Sequence, residues 1–116
     1  MPYRDLKVFE ATACAVDRVN ELIDGTSGGR ILHVTQLRKS AQSISANIAE
    51  GFGRGEGRDR TRFLRIARGE AEETIRHLNA NFRADRITAD QYWAIRNLLV
   101  VIVKMLSALV RNDLRD

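Results

Sequence analysis

One cysteine and two histidines in 116 residues remove two common ways of holding a small chain together. A lone thiol forms no internal disulfide, and ligands this few build no structural zinc site. A chain of this length must therefore rely on one apolar core, which stacked helices can supply. Cys14, set among Ala11, Ala13, Ala15 and Val16, reads as a small core residue and fits a reduced cytoplasm. Long apolar runs are also missing. The longest, Leu98 to Val103, is six residues, far short of the ~20 that span a bilayer. The opening Met1-Pro2-Tyr3-Arg4-Asp5 carries neither the apolar stretch nor the small-residue cleavage site of a secretory signal. The expectation is a soluble, cytoplasmic protein without a membrane role.

Strand-like alternation is absent, and what the chain has instead is helical periodicity in four segments. The first runs from about Arg4 to Ile23, with Leu6, Phe9, Ala13, Val16 and Ile23 on one stripe and Val8, Ala15, Val19 and Leu22 beside it. Asp24-Gly25-Thr26-Ser27-Gly28-Gly29 then reads as a loop. The second spans about 30–50, uninterrupted by proline, with Ile31, Val34, Leu37, Ala41, Ile44 and Ile48 as its stripe. Gly51, Gly53, Gly55 and Gly57 stop it. The third spans about 59–83, with Asp59 as its N-cap and Phe63, Leu64, Ala67, Ala71, Ile75, Leu78 and Phe82 as its apolar positions. Thr88 and Gln91 stand at capping-box spacing before a fourth helix over about 89–112. The fold class is all-α, and the short connections favour an antiparallel up-down four-helix bundle as a single domain over 1–116.

Within the fourth segment Leu98, Leu99, Val100, Val101, Ile102 and Val103 cover every face of a helix. Either this helix is buried on all sides, or part of it meets a second subunit; the second reading is preferred, with Leu98, Val100, Val101 and Val103 as the interface.

The net charge is +4 and the pI near 9.8, a balance that suits an anionic partner. Its distribution is uneven. Six arginines, 54, 58, 60, 62, 65 and 68, face only Glu56 and Asp59 between positions 54 and 68. Arginine pairs bidentately with phosphate and stacks on bases, so this loop and helix start are the candidate nucleic-acid surface. A flexible hinge with solvated charges is the other reading. Asn47 and Glu50 lie three apart at the end of the second helix, where a glutamate opposes the helix dipole and calls for an arginine partner such as Arg54, Arg62 or Arg65.

Catalytic constellations are lacking. Glu70, Glu73 and His77 share one side of the third helix but lack the Glu-x-x-His pairs of di-metal bundles. The glycine loop follows no strand and lacks a Gly-Lys-Ser/Thr ending, so it is no nucleotide-binding loop. Cys14, Ser40, Ser43 and Ser45 have no base beside them in sequence. The acidic run Glu70-Ala71-Glu72-Glu73 bears a faint likeness to the magnesium-binding helices of all-α nucleotide pyrophosphohydrolases, but the second helix holds Glu50 as its one acid. No enzyme activity, cofactor or metal is expected.

Asn47-Ile48-Ala49-Glu50-Gly51 completes the pattern. Together with Asp5-Leu6-Lys7-Val8-Phe9, Gln36 to Ala41, Ser43-Ile44, Phe63-Leu64, Ala67, Gly69 and Glu73, it resembles a bacterial four-helix-bundle family. Genes of that family were first noticed in intervening sequences of large-subunit ribosomal RNA genes, and its members are similar to the accessory protein of diversity-generating retroelements. Ser45 stands where the family usually has proline, and Glu70 where it has serine. The resemblance implies a non-enzymatic protein and a ring-like homopentamer, with Asn47, Glu50 and Gly51 as a structural motif. The combined expectation is an oligomeric scaffold that engages RNA or DNA. Its alternatives are an adaptor whose arginines meet an acidic protein such as a reverse transcriptase and, further off, a metal-dependent nucleotide hydrolase.

Overall fold

A computed structural model describes residues 2–26, 30–55 and 57–115. Ser27 to Gly29 of the expected loop, and Glu56 among the acids counted above, lie outside the described residues. Four helices follow one another: α1 (Tyr3–Asp24), α2 (Val34–Phe52), α3 (Arg58–Arg83) and α4 (Ala89–Arg115). Each packs on its neighbour in sequence and α4 closes back on α1, with the α2–α3 and α3–α4 contacts the most extensive. The directions follow from two sets of polar contacts. Arg60, at the start of α3, meets Asp5 at the start of α1 and Asp113 at the end of α4. At the far end Leu32, just before α2, meets Asn81 near the end of α3. The helices therefore run up, down, up, down in a rod 49 Å long and about 20 Å across.

The core is aliphatic. Val8, Val19, Leu37, Ile44, Leu64, Leu78, Leu99, Ile102 and Leu106 are all completely buried. In α2 and α3 the aliphatic residues Leu37, Ala41, Ile44, Ile48, Leu64, Ala67, Ala71 and Leu78 are buried as the periodicity selected, while Phe63, Ile75 and Phe82 are only partly buried and Ser40, Arg60, Thr61, Thr74 and Asn81 join the interior. The Thr88–Gln91 capping box forms in both directions, with Gln91 N donating to Thr88 Oγ1 at 3.1 Å and Thr88 N to Gln91 Oε1 at 2.8 Å. By length and composition α4 is apolar enough to cross a membrane. It instead directs Tyr92, Ile95, Leu99, Ile102, Leu106, Leu109 and Val110 into the bundle.

Four expectations are corrected. In α1 the inner stripe is Val8, Thr12, Ala15, Val19 and Leu22, and the larger Leu6 and Phe9 are each 43% exposed. Cys14 lies on that helix's outer side and is exposed. α2 starts at Val34 because His33 takes a left-handed conformation, φ 57°, that no continuing helix allows. The chain before it is held by Asn81, whose Oδ1 accepts from Leu32 N at 2.7 Å and whose Nδ2 donates to Leu32 O at 3.1 Å. This pins Ile31 into the core as a loop residue. Finally, α3 is capped at Gly57 without a side-chain bond, and Asp59 sits inside its first turn.

At its other end α3 closes with paired reversed hydrogen bonds, Asp85 N to Phe82 O at 3.1 Å and Arg86 N to Asn81 O at 2.9 Å. Asp85 occupies the left-handed position, φ 58°, that glycine usually fills in this motif. The turn brings Tyr92 against Phe82 in a stack with ring centroids 4.4 Å apart.

Candidate nucleic-acid interface

The α2–α3 corner is built around Gly51. A Cβ there would lie 3.2 Å from Phe63 Cβ and 3.3 Å from the Arg60 carbonyl, so the bare backbone lets the last turn of α2 settle on the first turn of α3. Asn47 Nδ2 donates to Ser43 O at 2.8 Å, within the helix. Glu50 finds its arginine one turn on, as Arg54 Nη2 donates to Glu50 Oε1 at 2.9 Å. Between the helices Gly57 turns at φ 107°, a conformation costly for any other residue.

The six arginines of this stretch divide into distinct environments. Arg54 and Arg62 both lie over the ring of Phe63, at 5.2 and 4.6 Å from its centroid. Arg58, Arg62 and Arg65 border a shallow groove of about 510 Å³ whose remaining walls are Thr61, Ile66 and Leu114. Arg68 is half-buried and donates to Ser107 Oγ at 3.3 Å.

Arg60 does not belong to this surface. It is 7% exposed, and each of its three guanidinium nitrogens donates: Nη1 and Nη2 to the two carboxylate oxygens of Asp5 at 2.9 and 3.0 Å, and Nε to Asp113 Oδ2 at 3.0 Å. Burial works against its charge; the hydrogen bonds and charges of Asp5 and Asp113 outweigh that and hold it above its ordinary value. Phe52 roofs the cluster 5.0 Å away and itself stacks on Phe9. Sequence reasoning placed Arg60 outside with its neighbours. The signal against this was register, because Arg60 stands four before the buried Leu64, Asp113 four after the buried Leu109, and Asp5 three before the buried Val8.

Of the residues read as an oligomer interface, Leu98 and Val103 are partly buried against the core, Val100 is half-buried, and Val101 is 44% exposed. The α1 face adds apolar surface that periodicity had assigned to the core, chiefly Leu6 and Phe9. Tyr3, Lys7, Met105 and Ala108 line a second groove between α1 and α4.

Glu73 serves as an ion-pair partner within its own helix. It accepts from Arg76 Nε at 3.1 Å and lies 3.1 Å from His77 Nε2. The hydrogen bond from Arg76 leads in holding its carboxyl below the ordinary value. The His77 ring tilts against that of His33 at 5.5 Å. Among the described residues no three His, Cys, Asp or Glu side chains gather closely enough to hold a metal ion.

An all-α up-down bundle with a glycine-closed α2–α3 corner and arginines around it is the class that fold and site define. The chain belongs to the 23S rRNA-intervening sequence protein family, whose pattern matches residues 4–108. Its fold is similar to that of a protein of unknown function of the S23 ribosomal protein family from Bacteroides thetaiotaomicron, at TM-score 0.81 and 26% identity over 93% of this chain and 98% of that one. No curated protein matches the sequence.

Proposed function

We propose that the protein is a non-enzymatic, self-associating binding protein of the cytoplasm that engages RNA or DNA through the α2–α3 corner. The observation that carries this reading is the set of Arg54, Arg58, Arg62 and Arg65, all exposed around one corner. Among the described residues only Arg54 of these four is tied to a carboxylate, through its half-exposed pair with Glu50, which is worth little in water. Glu56 and Asp59 are the other acids of this stretch of sequence. The family's description names a place in 23S rRNA and no ligand, so the arginines bear the weight. Phosphate contacts of this kind make affinity fall with salt, by a slope of about 0.9 per duplex phosphate neutralised.

Self-association is supported by the apolar surface left outside the bundle, with Leu6, Phe9 and Val101 each more than 40% exposed. Repeating the corner around a ring would turn several weak phosphate contacts into one avid surface. Fluorescence anisotropy of labelled structured RNA and duplex DNA across a salt series tests the ligand, with Arg58→Glu/Arg62→Glu/Arg65→Glu as control. Salt-sensitive binding lost in the variant is the expected result. No binding at low salt would move the reading to an adaptor for an acidic protein. Sedimentation of the wild type at two concentrations tests assembly, and a monomer at both would overturn it.

A further inference from the structure

The groove beside the corner has a chemistry that phosphate contacts alone do not require. Its apolar lining is Ile66, 43% exposed, and Leu114, 55% exposed, and Arg58, Arg62 and Arg65 line it beside them. Arg62 is held over the Phe63 ring, 4.6 Å from its centroid, so less freedom is lost when it engages a ligand. A planar guanidinium anchored on one aromatic is itself a platform on which a second flat ring can stack.

We propose that this groove receives an unpaired nucleotide of a single strand. The base lies on Ile66 and Leu114 with Arg62 against its edge or face, and the flanking phosphates pair with Arg58 and Arg65. The inference rests on the nucleic-acid reading above and narrows it to one class of strand. A duplex keeps its base faces stacked inside and presents phosphate and sugar. Laid on this corner it would satisfy the arginines yet cover two aliphatic side chains with a polyanion and no apolar partner. A single strand offers both halves of the match, since every base has an apolar face and sequence matters little to such stacking.

The test compares short oligouridylate and oligothymidylate, each alone and annealed to its complement, on wild type and on Ile66→Ser/Leu114→Ser. Both side chains are exposed, and an unchanged unfolding midpoint verifies the fold. The variant is expected to lose roughly tenfold in single-strand affinity with duplex affinity and salt slope unchanged; the uridylate and thymidylate arms tell RNA from DNA. Equal loss on duplex and single strand, or no loss on either, overturns the inference and leaves the nucleic-acid reading standing. Wild type that binds none of the four at low salt overturns both. If the variant instead sediments at lower mass than wild type, Ile66 and Leu114 form a contact between copies and the proposal fails.

Discussion

Arg60 reaches across the bundle to grip both carboxylate oxygens of Asp5, 55 positions away in sequence, at 2.9 and 3.0 Å. Asp113 accepts its Nε–H at 3.0 Å, so one guanidinium ties the starts of α1 and α3 to the end of α4. Removing it strands two buried carboxylates. Arg60→Met should cost about 3–5 kcal/mol, whereas Asp5→Leu/Arg60→Met/Asp113→Leu, which removes every charge of the cluster, should recover most of that loss. Urea unfolding midpoints check both; equal stability of the single and triple variants would contradict the account.

At the opposite end Asn81 is completely buried and bonded to both backbone groups of Leu32. Asn81→Ala leaves a donor and an acceptor unmet, for about 1–3 kcal/mol. Asn81 Nδ2 also donates to His77 O at 2.8 Å, so Asn81→Asp keeps the acceptor but turns a second carboxylate oxygen on the carbonyls of Leu32 and His77, and should be at least as damaging. Amide exchange at Leu32 should accelerate in both variants ahead of the global unfolding rate.

Two helical glycines should respond in opposite senses. Gly51 meets Phe63 and the Arg60 carbonyl where its Cβ would go, while nothing stands within 4 Å of a Cβ on Gly69. Gly51→Val should lose about 1–3 kcal/mol through overpacking. Gly69→Ala should gain about 0.5–1 kcal/mol through helix propensity. Thermal midpoints moving the same way in both would show that the α2–α3 approach is looser than described.

The Glu73 carboxyl sits below the ordinary value of 4.5, first through its hydrogen bond from Arg76, with the charges of Arg76 and His77 adding to it against desolvation. A lowered folded value means a contribution present above the unfolded value and lost as pH falls through the folded one. The stability difference between wild type and Glu73→Gln should therefore favour wild type at neutral pH and shrink on acidification. A difference that grows with acid would refute the assignment.

How much of this was legible depends on the element. The stripes of α2 and α3 each have one apolar face, so period identified their aliphatic core positions, though not the polar Ser40, Arg60, Thr74 and Asn81 buried beside them. α1 has two apolar faces, and Leu6 and Phe9 are larger than Val8 and Ala15; size pointed outward because hydropathy does not say which face finds a partner. That same ambiguity put Cys14 inside. The start of α2 was misjudged because Ile31 is buried without being helical, and the left-handed turn at His33 leaves no mark in composition. At the corner, sequence grouped six arginines by position alone, and packing sorts them: Arg60 is buried on Asp5 and Asp113, and Arg68 lies against Ser107. A charge counts as a solvent marker in any periodicity argument, and Arg60 shows that a charge in register with Leu64 can meet two aspartates instead.

Aliphatic stripes repeat with every turn, so a helix displaced by one turn, ~5.4 Å, would still find leucines and valines to lie against. Polar partners do not repeat. Such a slip of α3 would part Arg60 from Asp5 and Asp113 at one end and Asn81 from Leu32 at the other, stranding buried polar groups at both. The two ends act as index marks that select one alignment among several of similar greasiness.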